Sequence, residues 1–260
     1  MTYEEFLQLT EKNLKRFFPE SFQERKVEIR EVLKNNNIKL QGVYLSGSPS
    51  YTSVPLLYLE SYYQELENGK KLEDVWQNIA RDYQKCQETA ITIDGISSKE
   101  WDYETIKRGL TVYVRNAQEN VDFLADCPHE IREDLALVYG FHVLVDGEKD
   151  GSAIINYDRL KWLGVSEEQL KQDAWENMKQ SNPPCFLDLQ DMLAKMYFDE
   201  PGDVKAGSLE HLEDVDPNAM MYVLTNSNQV NGAVYMCDEE VMSLIAEKLG
   251  SDLIVIPSSI

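Results

Sequence analysis

Met220-Met221-Tyr222-Val223-Leu224, Ala233-Val234-Tyr235-Met236 and Leu253-Ile254-Val255-Ile256 are three short apolar runs, and their order decides the fold class. The loop Asn226-Ser227-Asn228 parts the first two, a pattern that reads as a β-hairpin. An amphipathic segment opened by Asp238-Glu239-Glu240 parts the second from the third. Asp238 suits a helix N-cap, and the two glutamates fall in the first turn, where the helix dipole favours negative charge. The stretch is therefore expected to form a β-β-α-β unit, which places the chain in the α+β class.

Upstream, the same punctuation recurs. Thr2-x-x-Glu5 is a capping box, followed by Tyr3, Phe6, Leu7, Leu14, Phe17 and Phe18 on one helical face up to Pro19. Strands are expected from Lys26 to Leu33 and from Ile38 to Leu45, joined by Asn35-Asn36-Asn37, a run that tolerates positive φ. Two helical stripes follow, Leu56/Leu59/Tyr63/Leu66 and Leu72/Val75/Trp76/Ile79/Tyr83/Cys86. Ser97-x-x-Glu100 predicts a short helix over Trp101 to Lys107. Leu110 to Val114, Leu135 to Val145 and Ser152 to Ile155 read as strands, the last two joined by the polar loop Asp146 to Gly151. Ser166-x-x-Gln169 caps a helix reaching about Met178, which Asn182-Pro183-Pro184 ends. The whole is expected to be N-terminal helices with a hairpin, then a mostly antiparallel sheet with packed helices. A division is expected between 1–126 and 127–260, near Asp126-Cys127-Pro128.

The chain has 260 residues, 43% hydrophobic and 10% aromatic, enough to bury a sizeable core. Its longest apolar run, Leu135 to Val145, is interrupted by Gly140 and His142 and is only strand length, so no membrane span is expected. The opening Met1-Thr2-Tyr3-Glu4-Glu5 has neither the basic region nor the apolar core of a secretory signal. Four scattered cysteines with no CxxC pair fit reduced thiols, and the expected location is the cytoplasm.

Formal net charge is −21, unevenly spread: residues 1–130 carry −6 and residues 131–260 carry −15. Phosphate neutralisation needs a basic surface, so direct nucleic-acid binding is not expected. Anionic lipid is disfavoured for the same reason. A basic protein partner is the class of ligand that this charge favours. Within it lies the acid-rich stretch Asp188 to Asp216, with Asp199, Glu200, Asp203, Glu210, Glu213 and Asp214 as candidate binding residues. Such carboxylates could also imitate the phosphates of duplex DNA.

Asp134-Leu135-Ala136-Leu137-Val138-Tyr139, Ser152-Ala153-Ile154-Ile155-Asn156, Leu163-Gly164-Val165, Tyr222-Val223-Leu224-Thr225-Asn226, Asn231-Gly232-Ala233 and Ile256-Pro257-Ser258-Ser259-Ile260 carry a resemblance. They resemble a family of uncharacterised bacterial proteins, a domain of unknown function found mainly in gut Firmicutes. The resemblance spans roughly the second half, and the N-terminal Tyr-x-x-Phe helix is compatible with it. Members continue past the Pro-Ser-Ser-Ile motif, at which this chain stops. The resemblance implies a fold and an association with mobile elements, but no catalytic residues.

Chemistry-bearing patterns are sparse. Cys127-Pro128-His129-Glu130 is the one place where a thiol, an imidazole and a carboxylate meet, and Cys127 with His129 are the only enzymatic candidates. His142 sits within an apolar strand and reads as a core histidine. His211, beside Glu210, Glu213, Asp214 and Asp216, lacks EF-hand spacing. No GxxxxGK[ST], GxGxxG or GxSxG is present. Neither a cofactor nor a metal is expected. The sequence thus favours a non-catalytic interaction protein, an accessory of mobile elements, with a basic partner for its acidic half. A DNA-mimicking anti-restriction protein, an enzyme built on Cys127 and His129, and a small-molecule sensor with a pocket beside the Trp76 or Trp175 helix are the alternatives.

Overall fold

A computed structural model describes residues 1–47, 54–89, 91–190, 192, 193, 209 and 219–256. In chain order the elements are α1 (Tyr3–Asn13), β1 (Lys26–Leu33), β2 (Lys39–Ser46), β3 (Leu57–Tyr58), α2 (Glu60–Glu67) and α3 (Leu72–Glu88). Then come β4 (Ile91–Ile93), β5 (Ile96–Ser97), α4 (Tyr103–Lys107), β6 (Leu110–Asn116), α5 (Val121–Leu124), β7 (His129–Arg132), β8 (Leu135–Val145) and β9 (Glu148–Ile154). The described chain continues with α6 (Tyr157–Leu163), α7 (Glu167–Ser181), β10 (Pro184–Asp188), β11 (Tyr222–Asn226) and α8 (Glu239–Leu249). Helices beside antiparallel strand pairs make this an α+β protein, as expected.

The chain divides into two units. The first comprises Met1–Arg108, Glu119–Phe123 and His142–Ser152. Its α1 carries the full capping box, with Thr2 Oγ1 accepting from the Glu5 amide and the Glu5 carboxylate from the Thr2 amide. The helix passes into a 3-10 turn, Leu14–Phe17, before Pro19. β1 and β2 pair antiparallel from Lys26↔Ser46 to Leu33↔Lys39, and Asn36 and Asn37 take positive φ at the tip. Buried Asn120 holds that tip, accepting from the Asn36 amide at 2.7 Å and donating to Asn36 Oδ1 at 3.2 Å.

α3 turns Val75, Trp76, Ile79, Ala80 and Tyr83 inward, a stripe at helical spacing. Their core includes Phe6, Leu14, Val43, Leu45 and Leu59. Two hydrogen bonds satisfy the polar ends of its aromatics: Trp76 Nε1 donates to Thr10 Oγ1 at 2.9 Å, and Tyr83 Oη accepts from the Leu45 amide at 3.0 Å. The expected 3.6-period segment around Leu56 begins instead as a short strand, with Leu57 opposite Val43, and becomes helical only at Glu60. The helix expected after Ser97 is likewise split: a 3-10 turn occupies Ser98–Glu100, and Asp102 caps α4 by accepting from the Thr105 amide.

The second unit comprises Gly109–Gln118, Leu124–Phe141 and Ala153–Ile260. β8 pairs antiparallel with β6 (Val112↔Tyr139) and with β7 (Glu130↔Leu137). Ser166 caps α7 by accepting from the Gln169 amide, and Leu170, Ala174 and Met178 form its buried stripe. Asn177 donates to the Leu110 carbonyl at 2.7 Å, tying α7 to β6.

The C-terminal stretch departs from the expected β-β-α-β order. β11 forms, but its partner is β10, in register from Pro184↔Asn226 to Asp188↔Tyr222. The run expected as the second hairpin strand is a 3-10 segment, Gly232–Cys237, that buries Val234 and Tyr235. Asn226 closes the loop before it, donating to the Val230 carbonyl and accepting from the Asn228 and Val230 amides. Four apolar residues read equally as a short strand or a buried helical turn, so periodicity could not separate them. α8 forms as expected, with Asp238 accepting from the Glu240 and Val241 amides. Leu253 to Ile256 is not a strand, and Ile254 is 92% exposed.

Candidate functional site

An open cleft of about 440 Å³ lies between β7 and α7 in the second unit. Its lining is Glu130 and Arg132 from the strand, with Glu168, Lys171, Gln172 and Trp175 from the helix. Both sets follow from local geometry. Residues two apart on a strand share a face, and positions i, i+3, i+4 and i+7 share one helix face. The lining stripe of α7 flanks its buried stripe, which keeps the charged groups at the rim of the packed face.

Glu130 is the hub. Its Oε1 accepts from Arg132 Nε at 2.5 Å, and its Oε2 pairs with Lys171 Nζ. Partial burial pulls the Glu130 carboxyl up, but the Lys171 and Arg132 bonds and charges outweigh this and hold it below its usual value. Arg132 also reaches Glu239 at 3.1 Å, and Glu130 first, then Glu239, raises its pKa. Nearby, Lys179 spans Asp238 (2.8 Å) and Glu240 (3.2 Å), joining α7 to the start of α8. Glu168, by contrast, is exposed and has no ion pair among the described residues.

Tyr139 adds a buried polar group to this side of the sheet. In the β7–β8 register it shares a face with Leu137, and so with Glu130 and Arg132. It is 2% exposed, and its hydroxyl has no hydrogen-bond partner among the described residues. Burial first, then the negative charge of Glu130, raises its pKa.

Cys127 and His129 do come close, through the Cys127 backbone carbonyl. The Nδ1 of His129 lies 2.8 Å from the Cys127 carbonyl oxygen, which can only accept, so that nitrogen carries the proton. Burial, then Asp126, pushes the thiol up to about 11, and Arg159 offsets only part of this. A thiol so placed is neutral at pH 7.5, with a thiolate fraction about 100-fold below that of an unperturbed cysteine. Exposed Cys86 is therefore expected to alkylate with iodoacetamide at pH 7.5 at least 100-fold faster than Cys127 in the folded protein. In denaturant the two rates should converge. Mass spectrometry of the labelled peptides would read this, and rapid labelling of native Cys127 would support the catalytic alternative.

Asp199, Glu200, Asp203, Glu210, Glu213 and Asp214, with His211, lie outside the described residues. His142 is half-buried on β8. Among the described residues no three His, Cys, Asp or Glu side chains are grouped to hold a metal ion. Nor is any described helix long and apolar enough to cross a membrane.

Comparison with known proteins adds one finding. The model of a family of unknown function, DUF5688, matches residues 3–260. The chain belongs to this family. The resemblance to an uncharacterised domain of unknown function is thereby borne out, and it extends over the first half as well. No curated protein and no solved structure matches the chain.

Sequence reasoning named Trp175 as a possible pocket wall and missed its companions. The signal was the stripe Glu168-x-x-Lys171-Gln172-x-x-Trp175, polar at one end and aromatic at the other, beside the apolar stripe of the same helix. Trp76, the other candidate wall, is a core residue bonded to Thr10.

Proposed function

We propose that this chain is a non-catalytic, cytoplasmic interaction protein that binds a basic protein partner through its acid-rich second half. The observation carrying this reading is how three cations of that half are used. Arg132, Lys171 and Lys179 are each committed to carboxylates of the same unit. Exposed Glu133, Asp134, Asp158, Glu167, Glu168, Glu176 and Glu247 remain as surplus negative charge. A field of this sign attracts a basic partner and repels nucleic-acid phosphate. The neutral, buried thiol of Cys127 supports a role without covalent chemistry.

Titration calorimetry with octalysine tests the reading. Binding is expected at 50 mM salt, weakening about tenfold at 300 mM as the Debye length contracts, with no heat from octaglutamate. Absence of octalysine binding at low salt, or affinity indifferent to salt, would overturn it.

A further inference from the structure

We infer that the cleft between β7 and α7 seats a lysine or arginine side chain of that basic partner, an inference that rests on the reading above. Shape comes first. At about 440 Å³ the cleft is larger than one side chain needs, and it is open, so a side chain can enter from a partner's surface.

Charge then selects the sign of the guest. Arg132 and Lys171 are both compensated by Glu130, and Arg132 a second time by Glu239. An incoming anion would have to displace carboxylates from them. An incoming cation meets the exposed carboxylate of Glu168, which has no ion pair among the described residues, and can share Glu130. Glu167, next to Glu168 in the first turn of α7, deepens the negative field.

An aromatic wall completes the seat. The half-buried ring of Trp175 is a lining wall against which the stem of lysine or the plane of arginine can lie, with a cation–π attraction for the head.

The test compares one-charge changes inside and outside the cleft, using octaarginine as the probe. Glu168→Gln and Glu247→Gln each remove one exposed carboxylate from the second unit, so they weaken the overall field equally. Glu168→Gln and Trp175→Leu are each expected to raise the octaarginine Kd at least fivefold, and Glu247→Gln less than twofold. If octaarginine binds but Glu168→Gln and Glu247→Gln have the same effect, the cleft is not the seat, and the interaction reading stands without it. If octaarginine does not bind the unaltered protein, that reading fails and the cleft falls with it. Free arginine binding as tightly as octaarginine would make the cleft a small-molecule site and overturn the docking role.

Discussion

Replacing Gly232 by alanine is expected to lower the unfolding free energy by about 3 kcal/mol, at the upper end of overpacking costs. A Cβ at this position would lie 2.4 Å from Thr225 Cα, 2.6 Å from its Oγ1 and 2.8 Å from its carbonyl carbon. These are mostly backbone atoms of β11, held in register opposite Cys185, and they cannot rotate away as a side chain can. Relief requires the Gly232–Cys237 segment to lift, which would uncover Val234 and Tyr235, both fully buried. It would also strain the bond from the Tyr235 hydroxyl to the Asn182 carbonyl, 2.5 Å long. Urea unfolding followed by circular dichroism reads the effect. A loss under 1 kcal/mol would mean that the segment is not seated against β11.

Phe6→Ala is expected to cost roughly 3–5 kcal/mol, the usual range for deleting a buried aromatic. Phe6 is fully buried, with its ring centroid 6.3 Å from that of Tyr3 and 5.6 Å from that of Tyr63. Truncation opens a cavity in the core of the first unit and loosens α1. Its next inward residue, Thr10, accepts the Trp76 indole hydrogen bond, so the damage extends to α3. Phe6→Leu should recover more than half of the loss, because it keeps most of the apolar volume. Equal losses for the two variants would show that the ring stacking, rather than the filled volume, is what matters there.

Where one local rule dominates, the expected element matches the structure. The Lys26–Leu33 strand, the Asn-rich tip, the Ser166 cap and the Asp238 cap are each set by neighbouring residues through dihedral preference or a side chain reaching three positions along. The elements that differ are those in which local signals are degenerate. Ala233-Val234-Tyr235-Met236 could bury itself as strand or turn, and Gly232 against Thr225 selects the turn. Leu56 and Leu59 continue the helical stripe of Tyr63 and Leu66, yet the edge of β2 recruits Leu57 and Tyr58 as a strand.

The candidate site divides the same way. Glu168, Lys171, Gln172 and Trp175 share a helix face by spacing, and Glu130 and Arg132 share a strand face by alternation. Their sign, excess and amphipathic placement belong to the sequence alone, as do the family and the α+β class. That the two stripes face one another, that Glu130 bridges both cations, and that Cys127 is buried with its thiol raised are properties of the tertiary structure. Covalent spacing specifies which side chains share a surface of one element, whereas pairing between elements depends on the packing of the whole unit and has no period to read.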